Sequence, residues 1–363
     1  FASIGRAGMR VHSEKDTGVD LRRIWGGHFQ CKDGRWVRFG GSGNQNLHQF
    51  VEAAGITSWH AEGLTDVDRL GREVELADEL ERRMKELFKT RTAQEWEDLV
   101  AGAGSECAMC RTSEEWFSHP HALESKMVIE VQDPTYGKML QPGINARLSL
   151  TPGEVRRPAP APDQDREEIL LEVASRQQAP PAQAADKTMR SVLEGVKVLD
   201  LCIILAGPTC GRTLAEYGAD VIKIEPRGGQ NTRSGGPFYK DIPHPDRSLS
   251  FWHYNTSKRG ITLNLESTEG RELFLRLTAT ADIVLETFPP GYLPALGLGY
   301  KDLAAGNPGL VVCSLTPFGQ TGPWRDYLTC DLAHLAAGGQ MASSGYDLSL
   351  IHILRCRPNA GGR

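Results

Sequence analysis

Four stretches of the chain put ligand-binding side-chain types at the ends of apolar runs. The run VKVLDLCIIL ends in Ile204-Leu205-Ala206-Gly207-Pro208, where small residues let a ligand approach the backbone. The run VIKIE leads into EPRGG, so Arg227 stands where a phosphate could be met. Lys258 and Arg259 precede GITLNL, and Thr287-Phe288 follow DIVLE. Cations there suit an anionic ligand, and the phenylalanine ring suits a flat or apolar one. The competing reading of each cation is a solvated surface charge. No GxGxxG follows the first run, so a dinucleotide site is weakly supported. Asp331 in TCDLAHLAAGG has the type of a nucleophile, but it begins a helical pattern. It reads better as an N-terminal cap or first-turn carboxylate. Cys107 and Cys110 form one CxxC, with no second pair or HxxxH to complete a zinc site, and read as two reduced thiols.

These residues need a frame of strands and helices. Residues 196–226 read as strand, turn, amphipathic helix and strand, the building block of a parallel sheet. Earlier in the chain, Asp33-Gly34 lies between two strand-like runs and predicts a hairpin. NLHQFVEAAG and residues 74–104 have helical periodicity, with Leu76, Leu80, Met84 and Leu87 on one face and a stop at Gly102 and Gly104. Residues 125–143 read as strand, turn, strand. A proline- and alanine-rich stretch follows, with a short helix near 166–175.

Composition narrows the function. The 363 residues are 40% hydrophobic and 24% charged, as in a soluble globular protein large enough for two domains. A net charge of −5 gives no reason to expect nucleic acid. No apolar run approaches the roughly 20 residues of a membrane helix, and no signal peptide is visible, so a cytoplasmic protein without a membrane partner is expected.

In order, the segments 196–226, SKRGITLNLESTEGRELFLRL and TPFGQTGPW resemble the N-terminal half of the family III coenzyme A transferases. That group includes formyl-CoA transferase, the carnitine CoA transferases and the α-methylacyl-CoA racemases. CKDGRWVRFGG, TAQEWEDLVAGAGSECAMCRTSEEWFSHPHAL and the paired strands after them resemble the C-terminal half. The resemblance implies two incomplete repeats in inverted order. Residues 1–175 would be the back half of a first repeat, 176–191 a linker, and 192–347 the front half of a second. The expected fold is α/β: a Rossmann-like parallel sheet domain plus a smaller α/β domain. The returning segment near 153–175 is expected to pack on the second repeat's sheet. Leu348–Ile353 has the translation of a transposase end sequence used in library preparation, and residues 348–363 are expected to be an assembly artefact. The start at Phe1 leads to the expectation that the true start is missing.

The resemblance also implies the chemistry. Ile204, Leu205, Ala206, Pro208, Arg227, Lys258, Thr287 and Phe288 would line the coenzyme A site, with Phe318 in the FGQTG turn beside the acyl group. Threonine at 287 replaces the family's asparagine, and Ala295 stands where an arginine is frequent. An aspartate would attack an acyl-CoA and pass CoA, through an aspartyl thioester, to a carboxylic acid. That aspartate is expected after Asp347 and beyond this chain, so no residue is assigned as catalytic, and the chain is expected to be a fragment that lacks its nucleophile and turns nothing over. CoA enters as substrate, with no bound cofactor or metal, and the parent is expected as an interlocked dimer or intrachain pseudo-dimer. Racemase or isomerase chemistry is the first alternative, disfavoured because Cys330 replaces the histidine that branch needs before Asp331. A non-catalytic CoA-binding subunit is the second.

Overall fold

The computed structural model describes residues 24, 27–40, 44–157, 159–175 and 191–343. Residues 176–190 of the expected linker and the segment 344–363 lie outside the described residues. Two compact units form, one from residues 24–157 with 317–343 and the other from 159–316. This grouping differs from the unit expected over 192–347, because the segment after Thr316 joins the core of the earlier residues.

In the first unit, strands β1 (His28–Gln30), β2 (Trp36–Gly40) and β3 (Glu106–Met109) make an antiparallel sheet in that order. The β1–β2 turn is the expected one, with Gly34 at φ 78°. One face carries helices α1 (Asn44–Ala54), α2 (Val74–Phe88) and α3 (Ala93–Gly102). The helical pattern over 74–104 is thus broken in two. Thr92 caps a new helix by accepting from the Glu95 amide, and the Glu95 carboxylate accepts from the Thr92 amide at 2.8 Å. The buried face of α2 is Ala77, Leu80, Met84 and Phe88, while Leu76 and Leu87 are only partly buried. Phe88 stacks on Phe29 at 4.7 Å and meets Trp96 at 4.9 Å, whose indole N–H donates to the Phe88 carbonyl.

Short helices α4 (Ser113–Phe117) and α5 (Pro120–Glu124) then lead to the hairpin β4 (Val128–Asp133) and β5 (Gly137–Pro142). Residues 317–343 form a second cluster in this unit. Phe318, Trp324, Ala333, Ala336, Ala337 and Met341 are buried with Ala108 of β3. The Arg111 amide donates to the Ala336 carbonyl of the helix Asp331–Ala337. Asp331 is the first residue of that helix and Cys330 its N-cap, which matches the first-turn carboxylate expected from the sequence.

His28 sits beside Met341, with Nε2 3.0 Å from Sδ. Burial, helped by the Arg38 guanidinium, lowers its pKa to about 4. The unfolded chain therefore binds a proton there near pH 6.5 that the folded unit refuses. Stability from this group is complete above about pH 6.5 and falls away as pH drops toward 4, by up to about 3 kcal/mol. We expect His28→Gln to flatten that part of a stability-against-pH curve from denaturant titrations. An unchanged slope between pH 6.5 and 4 would contradict the assignment.

The second unit opens with helix α6 (Arg166–Ser175), which buries none of its residues and leaves Ile169, Leu170, Leu171 and Val173 exposed. The expected packing of this segment on the parallel sheet is not seen. Ile169, Leu170 and Val173 share one side of the helix and Leu171 falls on another, and all four stay exposed. The sheet itself has five parallel strands: β6 (Lys197–Asp200), β7 (Asp220–Glu225), β8 (Arg259–Thr262), β9 (Ile283–Glu286) and β10 (Val311–Ser314). Their order is β10-β9-β6-β7-β8. Successive side chains of a strand point to opposite faces. Leu199 and Val284 accordingly join one core with Ile224, Phe274 and Leu303, while Val198 and Leu285 join another with Val221 and Ala215. Helices α7 (Ala206–Glu216), α8 (Leu249–Asn255), α9 (Thr268–Thr278) and α10 (Tyr300–Gly306) complete the expected α/β architecture. Two covered faces explain why the central strands read as continuous apolar runs.

Candidate functional site

The strand order places a crevice between β6 and β9. The chain winds outward from β6 through β7 to β8, then returns to β9 and β10 on the other side. Open parallel sheets bind ligands at such a reversal, beyond the carboxyl ends of the strands. Residues 201–208 and 286–288 occupy those two ends.

The β6–α7 turn is held from beneath by buried charge. Asp200 is fully buried. Its Oδ2 accepts from Lys258 Nζ at 2.6 Å, and its Oδ1 from the Cys202 amide at 2.8 Å and Lys223 Nζ at 3.4 Å. Lys258 also donates to the Pro208 carbonyl at 2.9 Å and to Asn255 Oδ1 at 3.0 Å. Lys223 donates to the Cys202 carbonyl. Two ammonium groups thus grip backbone carbonyls at both ends of the turn, and both pair with one carboxylate. Burial lowers the Lys258 pKa, opposed by Asp200.

Lys258 was expected to line the ligand site. Its side chain is instead 1% exposed and its three N–H donors already have acceptors within the fold. It positions the turn. Asp200 and Lys223, which share that task, escaped notice in the sequence. Their signal was a charged residue inside each of the apolar runs VKVLDLC and VIKIEP.

Within the turn, Ile204 has φ 68°, unusual for a β-branched residue and costly by roughly 1–3 kcal/mol. Its amide donates to Thr232 Oγ1 at 3.3 Å, and the Ile203 amide donates to Thr287 Oγ1 at 2.9 Å. The hydroxyl at 287 therefore ties the ends of β6 and β9 together. Ile204 and Leu205 remain 61% and 52% exposed, an apolar surface at the crevice. Ala206 and Pro208 lie in the first turn of α7, with buried Gly207 between them. A Cβ on Gly207 would come within 2.5 Å of the Cys202 side chain and 2.8 Å of Thr287 Cγ2. Gly211, one turn on, faces Asp200 Oδ2 at the same 2.5 Å. Only glycine allows this approach of helix to strands.

Phe288 is half-buried and stacks on Tyr292 at 4.6 Å. Its amide donates to Glu286 Oε2 at 2.6 Å, and burial raises the Glu286 pKa. Arg227 is exposed after β7 and makes no ion pair among the described residues. Its loop is anchored by Glu225, which accepts from the Gln230 amide and, at 2.7 Å twice, from Arg233. Burial alone would raise Glu225, but Arg233 and that amide bring it below the usual range.

Phe318 lies in the other unit, buried against His121, Trp324 and His334. The structure thus brings eight of the nine expected residues to one unit's strand ends and their flanking loops, and puts the ninth in the second core cluster of the other unit. Cys107 and Cys110 are free thiols, and burial raises Cys107 and pushes Cys110 up to about 12. Among the described residues no helix is long and apolar enough to cross a membrane, and no cluster of three or more His, Cys, Asp or Glu could hold a metal ion.

Comparison with known proteins gives three findings. The profile of CoA-transferase family III matches residues 7–166 and 193–349, most of the chain. Succinate–glutarate CoA-transferase of Agrobacterium fabrum is 42% identical over 156 residues, which are 42% of this chain and 39% of that protein. Succinyl-CoA:glutarate CoA-transferase of Homo sapiens is 38% identical over 154 residues, 42% of this chain and 34% of that protein. The chain therefore matches well under half the length of these relatives. A crystal structure of a CAIB/BAIF family protein from Brucella suis aligns at 44% identity and a TM-score of 0.38, covering 42% of this chain and 40% of that one.

Proposed function

Because this chain belongs to CoA-transferase family III, we propose that the crevice between β6 and β9 binds coenzyme A for transfer between carboxylic acids. The observation that carries this reading is the clamped turn at the strand-order reversal. It presents exposed Ile204 and Leu205 to an apolar arm and the amino end of α7 to phosphates. Arg227 would add a charge-assisted contact to a phosphate oxygen. Phe288 and Tyr292 offer a stacked aromatic pair to the adenine or the pantetheine arm. Thr287 and Lys258 set the shape of the turn and do not touch the ligand.

In this reading the parent protein runs a two-stage exchange. An aspartate carboxylate attacks the acyl-CoA thioester, the C–S bond breaks, and CoA leaves as thiolate. The thiolate then attacks the aspartyl carbonyl of the mixed anhydride, releasing the first acid and leaving an aspartyl-CoA thioester. The incoming carboxylate takes the CoA by the same two steps in reverse. This reading expects that aspartate after Asp347, outside the described residues. Relatives named for succinate, glutarate, D-citramalate and oxalate support a dicarboxylic acid as the acceptor class.

Calorimetry with CoA tests the site. Arg227→Ala should weaken CoA about tenfold, the loss of one charged hydrogen bond, without lowering the melting temperature. CoA that failed to bind the folded chain, or NAD that bound equally well, would overturn the assignment. Asp331→Asn in the parent protein should leave turnover within about twofold, because Asp331 serves the first turn of its helix. Lost turnover with unchanged folding would make it the nucleophile instead.

A further inference from the structure

We propose that the groove between the hairpin β4–β5 and residues 144–157 binds the second, non-reacting carboxylate of a dicarboxylic acid, with Arg147 as its specificity-determining residue. The inference rests on the CoA-transfer reading for the identity of the acid and on the geometry for the site. The groove has a volume of about 610 Å³. Ile129, Val131, Ile144 and Val155 give it apolar walls, and Lys126, Arg147, Arg156 and Arg157 bring positive charge. Only Glu130 and Glu154 among its lining residues are acidic, and Glu130 is already paired with Lys138 at 2.9 Å. A cavity of this size with apolar walls and an excess of cations suits a short-chain acid that keeps one charge.

Arg147 joins this groove to the turn that the family resemblance implies lies beside the acyl group. Its Nη1 donates to Thr321 Oγ1 at 3.3 Å, and it makes no ion pair among the described residues. A guanidinium carries five N–H donors in a planar fork, so a two-point contact to a carboxylate remains available. The turn is built to admit it. Gly319 has φ 79°, and a Cβ there would lie 3.0 Å from Arg147 Nη2. The turn is also fixed from the core side. His121 Nδ1 accepts from the Trp324 amide at 3.1 Å, and a Cβ on Gly322 would come within 2.7 Å of that same nitrogen. One rigid turn thus has a buried histidine on one side and an unpaired guanidinium on the other.

Titration calorimetry of the full chain with glutarate, butyrate and sulfate, with CoA titrated in parallel, tests the proposal. Glutarate should bind at least tenfold more tightly than butyrate or sulfate. Arg147→Gln should remove that preference and leave CoA affinity within twofold. Arg147→Lys, which keeps the charge and loses the fork, should fall between. Arg147 is exposed, so these variants should keep the parent's melting temperature. Equal affinity for glutarate and butyrate, sulfate binding as tight as glutarate, or an unaffected Arg147→Gln chain would overturn the proposal while CoA binding kept the CoA-transfer reading intact. A glutarate preference lost in Arg147→Gln, in a chain that did not bind CoA, would support the carboxylate site and sink the CoA-transfer reading.

Discussion

Asp200→Ala should destabilise the parallel-sheet unit by about 3–5 kcal/mol, the range for breaking a buried ion pair from one side. The reason is the imbalance it leaves. Lys223 and Lys258 are both buried, and among the described residues Asp200 is the only carboxylate either of them pairs with. Their charges would stay in the interior with only neutral oxygens of Cys202, Pro208 and Asn255 to face. The turn 201–208 would also lose the anchor of its Cys202 amide. Peptide-level amide exchange of β6 and β7 reads the effect, because those strands should open at far lower cost. CoA binding should weaken in parallel as Ile204 leaves its strained conformation. Replacing all three charges with leucine and methionine should cost much less than Asp200→Ala alone, since no unpaired charge remains. An Asp200→Ala chain with native exchange in β6 would show that the two ammonium groups are solvated or neutral.

Glu97→Ala should produce a loss of similar size in the other unit, again about 3–5 kcal/mol. Both side chains of the Arg111–Glu97 pair are 1% exposed. Glu97 accepts from Arg111 twice, through Nη1 at 2.6 Å and through Nη2, and also from the Met109 amide at 2.8 Å. Its removal strands a guanidinium and a backbone N–H at once, with Gln94 Oε1 at 3.3 Å the one remaining side-chain acceptor of Arg111 among the described residues. Arg111 also lies over the Trp324 ring, 5.0 Å from its centre, so the loss should reach the segment 317–343. Tryptophan fluorescence and amide exchange of β3 measure this. Glu97→Gln, which keeps two acceptor contacts, should lose less. Equal stability of the Glu97→Ala chain would mean that water reaches the pair.

The residues themselves determined most of the secondary structure. Apolar β-branched runs, a DG turn and the Thr92-x-x-Glu95 pattern act over a few residues, and the strands, hairpin and caps follow them. The α/β class followed too, because strands alternating with amphipathic helices can bury their faces in few ways. Ile204, Leu205, Ala206, Pro208, Arg227, Thr287 and Phe288 were legible as strand-end residues for the same local reason. What the sequence could not settle was where a charge points. Lys258 reads identically whether its ammonium faces solvent or Asp200, 58 positions away. Nor could the sequence tell that the apolar residues of α6 find no cover, or that Phe318 and the helix Asp331–Ala337 join the sheet β1–β3. Those outcomes depend on which surfaces meet after the chain has closed long loops. Burial and desolvation, the forces that decide them, belong to the folded environment and not to any one residue.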